Sequence, residues 1–96
     1  MAEDIIRKLP FSAIAEQSLL GSILIDPESI TQVADIIFSD DFYLEEHKQI
    51  YLAMHSLFIA NNQIDVVTLI DMLVVKGIYD KSGGEDYIRT LTEAVP

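Results

Sequence analysis

Apolar residues recur at spacings of three and four along most of this 96-residue chain and give way to short polar clusters. That period is the mark of amphipathic helices; no segment alternates apolar and polar long enough to read as a strand. Ser12 predicts the cap of a first helix reaching about Leu24, with Leu19, Leu20, Ile23 and Leu24 inward. Asp26-Pro27 is a restart signal, since Asp accepts free N–H groups at an N-cap and Pro at the first helical position loses no hydrogen bond. A second helix is expected from Pro27 to about Phe38, burying Ile30, Val33, Ala34 and Ile37.

After the polar break Ser39-Asp40-Asp41, a third helix is expected from about Leu44 to Ala60. Its residues His47, Ile50, Tyr51, Met54, Leu57 and Phe58 fall within an arc of about 120° at 100° per residue. Asn61-Asn62 ends it. Asp65 predicts the cap of a fourth helix, about Val66 to Lys76, stopped by Gly77 in the position that favours glycine. Ser82-Gly83-Gly84-Glu85 has the spacing of a capping box and predicts a fifth helix lined by Tyr87, Ile88, Leu91 and Val95. Short connections and no repeat give the expected fold: all-α, a compact orthogonal bundle of about five to six helices, preceded by an arm over residues 1–10, with the helical domain at 11–96.

Composition narrows the chemistry. Sixteen acidic residues against six basic ones give a net charge of −10, a surface that polyanionic DNA or an anionic membrane would repel. There are no cysteines, which excludes disulfides, thiolate metal sites and cysteine nucleophiles. No apolar run has the length of a membrane helix or the layout of a signal peptide, and the expectation is a soluble intracellular domain. Neither GxxxxGK[ST], GxGxxG nor HExxH occurs. His47 and His55 lie about 12 Å apart along one helix, too far to share a metal unaided. No catalytic residue, metal site or cofactor site is therefore assigned.

A few residues stand out. His47 lies on an apolar arc; a hydrogen-bonded core histidine is preferred to a ligand or base. Glu16 points to the core side of the first helix. The simpler reading is a charge favoured by the positive end of its own helix; the sharper one gives it a buried partner that fixes the helix to a neighbour. The fourth helix is apolar nearly all round, leaving only Thr68, Asp71 and Lys76 polar, so it is either central or carries a second contact surface. Met72 and Val75 lie off its Leu69/Leu73 stripe and are candidate partner contacts. Tyr87 is either a core ring with its hydroxyl at the surface or a third such contact.

Taken in order, these features resemble one family. Pro10 precedes Ala15-Glu16-Gln17-x-x-Leu20-Gly21; Asp26-Pro27 follows, then Asp41-Phe42-Tyr43 with His47 and Ile50. Ile64-Asp65-x-x-Thr68-Leu69, Leu73 and Gly77 come next, and Gly83-Gly84-x-x-Tyr87-Ile88 completes the string. Together they resemble the N-terminal domain of bacterial replicative DNA helicases, the DnaB family. The first helix departs from the family's frequent Glu-Ala-Glu-Gln by carrying Ile14-Ala15-Glu16-Gln17, and the fourth is more apolar at Met72, Val74 and Val75.

The resemblance implies a parent enzyme that unwinds DNA as a hexameric ring in the bacterial cytoplasm, at the replisome. ATP and Mg would belong to a C-terminal RecA-like motor that is absent from these residues, as is the helical hairpin that pairs such domains. Without that hairpin a monomer or weak dimer is expected. The implied partners are other helicase subunits, the C-terminal domain of primase and a helicase loader, with no direct hold on nucleic acid or membrane. A stand-alone interaction adaptor and the helicase-binding domain of a primase are the alternative readings of the same fold.

Overall fold

The computed structural model describes residues 12–79 and 81–94. Residues 1–11, which include the arm and Pro10, lie outside them, as do Val95 and Pro96. Among the described residues five α-helices form: α1 (Ala13–Ile25), α2 (Ile30–Val33), α3 (Glu45–Ile59), α4 (Val66–Val75) and α5 (Lys81–Glu93). There is no strand among the described residues.

Each long helix begins or ends on local chemistry. The Ser12 hydroxyl accepts from the Ala15 N–H at 3.0 Å and caps α1. Asp65 Oδ1 accepts from the Thr68 N–H at 2.8 Å while Thr68 Oγ1 accepts from the Asp65 N–H at 3.0 Å, a reciprocal box that starts α4. Two helices stop in the same way. Past α4, Gly77 at φ +75° lets its N–H reach the Val74 carbonyl while the Ile78 N–H reaches that of Leu73. Past α3, Asn61 at φ +59° does likewise, with bonds to Phe58 and from Asn62 to Leu57. Both are left-handed stops that satisfy otherwise orphaned carbonyls, and Asn is the side chain that best tolerates that backbone after Gly.

Two expectations are corrected. The segment from Pro27 is not one helix to Phe38: it is a single 3₁₀ turn, Pro27–Ser29, followed by the one-turn α2. The Asp26 side chain makes no capping bond; its backbone carbonyl instead accepts from the Ser29 N–H at 2.9 Å, the tighter pattern of a 3₁₀ turn. The inward set nevertheless holds, with Ile30 and Ala34 buried and Val33 and Ile37 packed at the core's edge. The second correction concerns α5. It begins at Lys81, so Ser82 sits inside the helix rather than capping it. Glu85 turns forward instead, pairing with Arg89 one helical turn on at 2.8 Å.

The four longer helices close a ring: α1 packs on α5, α5 on α4, α4 on α3, and α3 back on α1. Leu20, Ile23, Ile30, Ile50, Met54, Leu69, Leu73, Ile88 and Leu91 fill its centre with almost no exposure. At the α4–α5 corner the chain passes close to itself. A Cβ at Gly84 would stand 2.6 Å from Tyr79 Cβ and 2.8 Å from its Cγ, so only glycine lets the α5 backbone approach that ring. Tyr79 is fixed from its other end, donating to Glu46 Oε2 on α3 at 2.7 Å.

Candidate functional site

Among the described residues the sole buried polar or charged side chain is His47, and it is fully buried. An uncompensated imidazole there would be costly, because it would lose its water without replacing it. The fold supplies partners on both ring nitrogens. Nδ1 lies 2.7 Å from Glu16 Oε1 on α1, and Nε2 lies 2.5 Å from the Tyr87 hydroxyl on α5. Tyr87 also accepts from Gln17 Nε2 at 3.4 Å. With Glu16 ionised and the imidazole neutral, every donor meets an acceptor: Gln17 gives to Tyr87, Tyr87 to His47, and His47 to Glu16.

Glu16 completes the chain at the backbone. Its Oε2 accepts from the Tyr43 N–H at 2.6 Å, and Oε1 from the Leu44 N–H at 3.5 Å. These N–H groups sit at the entrance to α3, where Leu44 offers no side-chain cap of its own. Glu16 stands in the first turn of α1, at its positive end, as the simpler reading has it. Its carboxylate also bonds the N–H groups entering α3 and His47, so the tie between neighbouring helices forms as well. A residue of the segment leading into α3 closes the site: Phe42, almost fully buried, sets its ring edge-on to His47 at 6.4 Å and packs at 5.2 Å on Tyr51.

Six of the motif residues thus meet in one place: Glu16, Gln17, Phe42, Tyr43, His47 and Tyr87. The others serve elsewhere. Asp65 and Thr68 start α4, Gly84 admits Tyr79, and Gly21 is buried on α1; Gly83 lies in the first turn of α5. Glu, His and Tyr in a line could in principle relay a proton, but the imidazole is sealed and the Tyr87 hydroxyl is spent on it. The arrangement acts as a clamp joining α1, α3 and α5 at one point. Among the described residues no group of three or more His, Asp or Glu side chains is placed to hold a metal ion.

The other feature of note is α4. It is peripheral, not central. Leu69, Ile70 and Leu73 are buried, whereas Val67 is 67% exposed and Val75 is 86% exposed, with Val74 also open to solvent. Met72 is half-buried against the core and joins Val75, Leu57, Thr68, Asp71 and Lys76 around a shallow groove of about 510 Å³. Met72 and Val75 are therefore brought together on one surface. Tyr87 lies apart from it, half-buried, with its hydroxyl turned inward rather than to solvent.

Among the described residues, helices in a closed ring, one sealed polar clamp and an uncovered apolar helix define a small all-helical domain. The family model for the DnaB-like helicase N terminal domain matches residues 8–96, and the chain belongs to that family. It is 36% identical over 90 residues to the replicative DNA helicase DnaB of Leifsonia xyli, covering 94% of this chain and 20% of that protein. It is 37% identical over 87 residues to the DnaB of Pasteurella multocida, covering 91% of this chain and 19% of the relative. Thus the chain spans about a fifth of the length of these relatives. The crystal structure of the N-terminal domain of DnaB helicase from Mycobacterium tuberculosis superimposes with a TM-score of 0.84 at 33% identity, over 91% of this chain and 60% of that one.

Proposed function

We propose that this domain is the docking and assembly module of a replicative DNA helicase, and that its α4 face receives the C-terminal domain of primase. The observation that carries the reading is the uncovered apolar surface of α4: Val75 and Val67 stand largely in water beside the Met72 groove, in a domain of this family. Isolated exposed apolar residues are ordinary, but a helix with apolar residues on both its buried and open faces is suited to a second contact. Met72 and Val75 are its proposed contact residues. Tyr87, offered by the sequence as a third, is proposed to act by holding α5 against His47.

In this reading the parent protein unwinds duplex DNA with ATP and Mg in the cytoplasm, as a hexamer with other helicase subunits and with help from a loader. The residues of this domain do not fit a nucleotide: there is no GxxxxGK[ST] in the sequence, and no step is assigned to them. The net charge of −10 favours protein partners over a direct grip on DNA. Titration of the domain with the cognate primase C-terminal domain tests the docking. Heat of binding with saturation is expected; no heat and no spectral shift at high micromolar concentration would contradict it.

A further inference from the structure

Within α4 a single residue is charged, Asp71, and it stands at the centre of the helix's open face. Val67 lies four positions before it, Val74 three after and Val75 four after, the spacings that make neighbours on a helix surface. All four residues are exposed. Asp71 also stands on the wall of both grooves that flank α4. It shares one with Met72 and Val75 on the α3 side, and a smaller one of about 190 Å³ toward α5 with Val67, Ile70, Glu85 and Arg89.

The carboxylate has no partner of its own. Asp71 makes no hydrogen bond or ion pair among the described residues. Arg89 is already committed, giving Nε and Nη2 to Glu85 Oε1 at 3.2 and 2.8 Å. Lys76 projects about 140° round the helix from Asp71, on the Met72 side.

We propose that the partner covering α4 seats a basic side chain on Asp71, with apolar groups to either side of it; this rests on the α4 docking proposed above. A surface that covers Val67, Val74 and Val75 must also cover the carboxylate between them. Taking an ionised carboxylate out of water without a counter-charge costs more than a valine contact returns. A cation at that point removes the penalty and adds a charge-assisted hydrogen bond, best as the planar fork of an arginine. Apolar contact by itself is non-directional and would admit many partners. Asp71 rejects those that lack the cation, so it sets specificity on this face. The net charge of −10 acts the same way at longer range, drawing in a basic surface.

The full chain and its Asp71→Asn, Asp71→Glu, Asp35→Asn and Val75→Asp variants are titrated with the cognate primase C-terminal domain. Asp71 is exposed and unbonded, so Asp71→Asn should leave the unfolding midpoint unchanged. Its affinity should fall about ten-fold or more, because the partner's cation is buried without its counter-charge, whereas Asp71→Glu should retain most of the binding. A smaller loss, no change or tighter binding with Asp71→Asn overturns the proposal; tighter binding is the mark of a carboxylate that had been buried unpaired. Asp35 is an exposed acid beyond α2 that lines neither groove, and an equal loss with Asp35→Asn would reduce the effect to net charge and overturn the proposal as well. Weakening by Val75→Asp alone keeps the docking face and removes the cation. No binding by the unaltered chain removes the docking itself, and this inference with it.

Discussion

Replacing Glu16 by Gln changes one oxygen for an amide and should cost far more than its size suggests. The carboxylate's two oxygens accept on opposite sides, from the Tyr43 N–H at 2.6 Å and from His47 Nδ1 at 2.7 Å. Gln has a single acceptor oxygen, so either orientation turns an NH₂ group against one donor. A hydrogen bond to a charged group contributes about 1.5–3 kcal/mol, and the buried His47 donor, if left unsatisfied, costs about 1–3 kcal/mol, whereas the exposed Tyr43 N–H can turn to water. Relaxation of the imidazole tautomer recovers part, which puts the net loss at about 2–4 kcal/mol. A 96-residue domain has only about 5–14 kcal/mol in total. The midpoint of thermal unfolding should then fall by roughly 8–30 °C. Helical circular dichroism is the natural probe, since the chain has no Trp. Tyr87→Phe removes the donor to the other imidazole nitrogen, and the pair should couple by at least about 0.5 kcal/mol in a double-mutant cycle because both act through His47. A loss below about 0.5 kcal/mol for Glu16→Gln, or strict additivity with Tyr87→Phe, would refute the clamp.

Leu73 is fully buried, so Leu73→Ala should destabilise by about 2–5 kcal/mol in urea unfolding, the upper end applying if the ring of helices cannot close on the cavity. Stability should also decline in alkali. Burial raises the Tyr79 hydroxyl above its ordinary pKa of 10.0, helped by its bond to Glu46, and burial together with the Asp41 charge raises Tyr51. A raised pKa means that the folded protein holds these protons after the unfolded chain has begun to release them; stability is therefore complete below pH 10 and falls as pH rises past it, visible as a falling unfolding midpoint between about pH 9.5 and 11.

Where chemistry is local, the sequence was enough. Ser12, Asp65 and Gly77 act at the caps and stop they announce, and the apolar arc of α3 is buried as its spacing demands save for Phe58, which is only partly buried at the core's edge. The segment after Pro27 was harder, because a 3₁₀ turn and a short helix share the same apolar spacing over so few residues. Ser82 carries a capping pattern that the fold does not use, since the helix already begins at Lys81, and no local motif reports the close approach of Gly84 to Tyr79. The clamp was half legible. Glu16 and His47 each stood on an inward face, and two polar groups forced into one apolar core must find each other or another partner. The inward turn of the Tyr87 hydroxyl depends on how α5 crosses α3, which periodicity along a single helix does not encode.

The docking role rests on the outer face of α4 being free to take a partner, and Val75→Asp probes it most directly. Val75 is 86% exposed, so the charge should leave the unfolding midpoint nearly unchanged, within about 0.5 kcal/mol in stability. Binding of the cognate primase C-terminal domain, titrated calorimetrically against both proteins, should weaken about ten-fold or more, the equivalent of at least about 1.4 kcal/mol. Equal affinity of the two proteins would contradict the assignment of that face, and loss of folding in Val75→Asp would show that the residue belongs to the core.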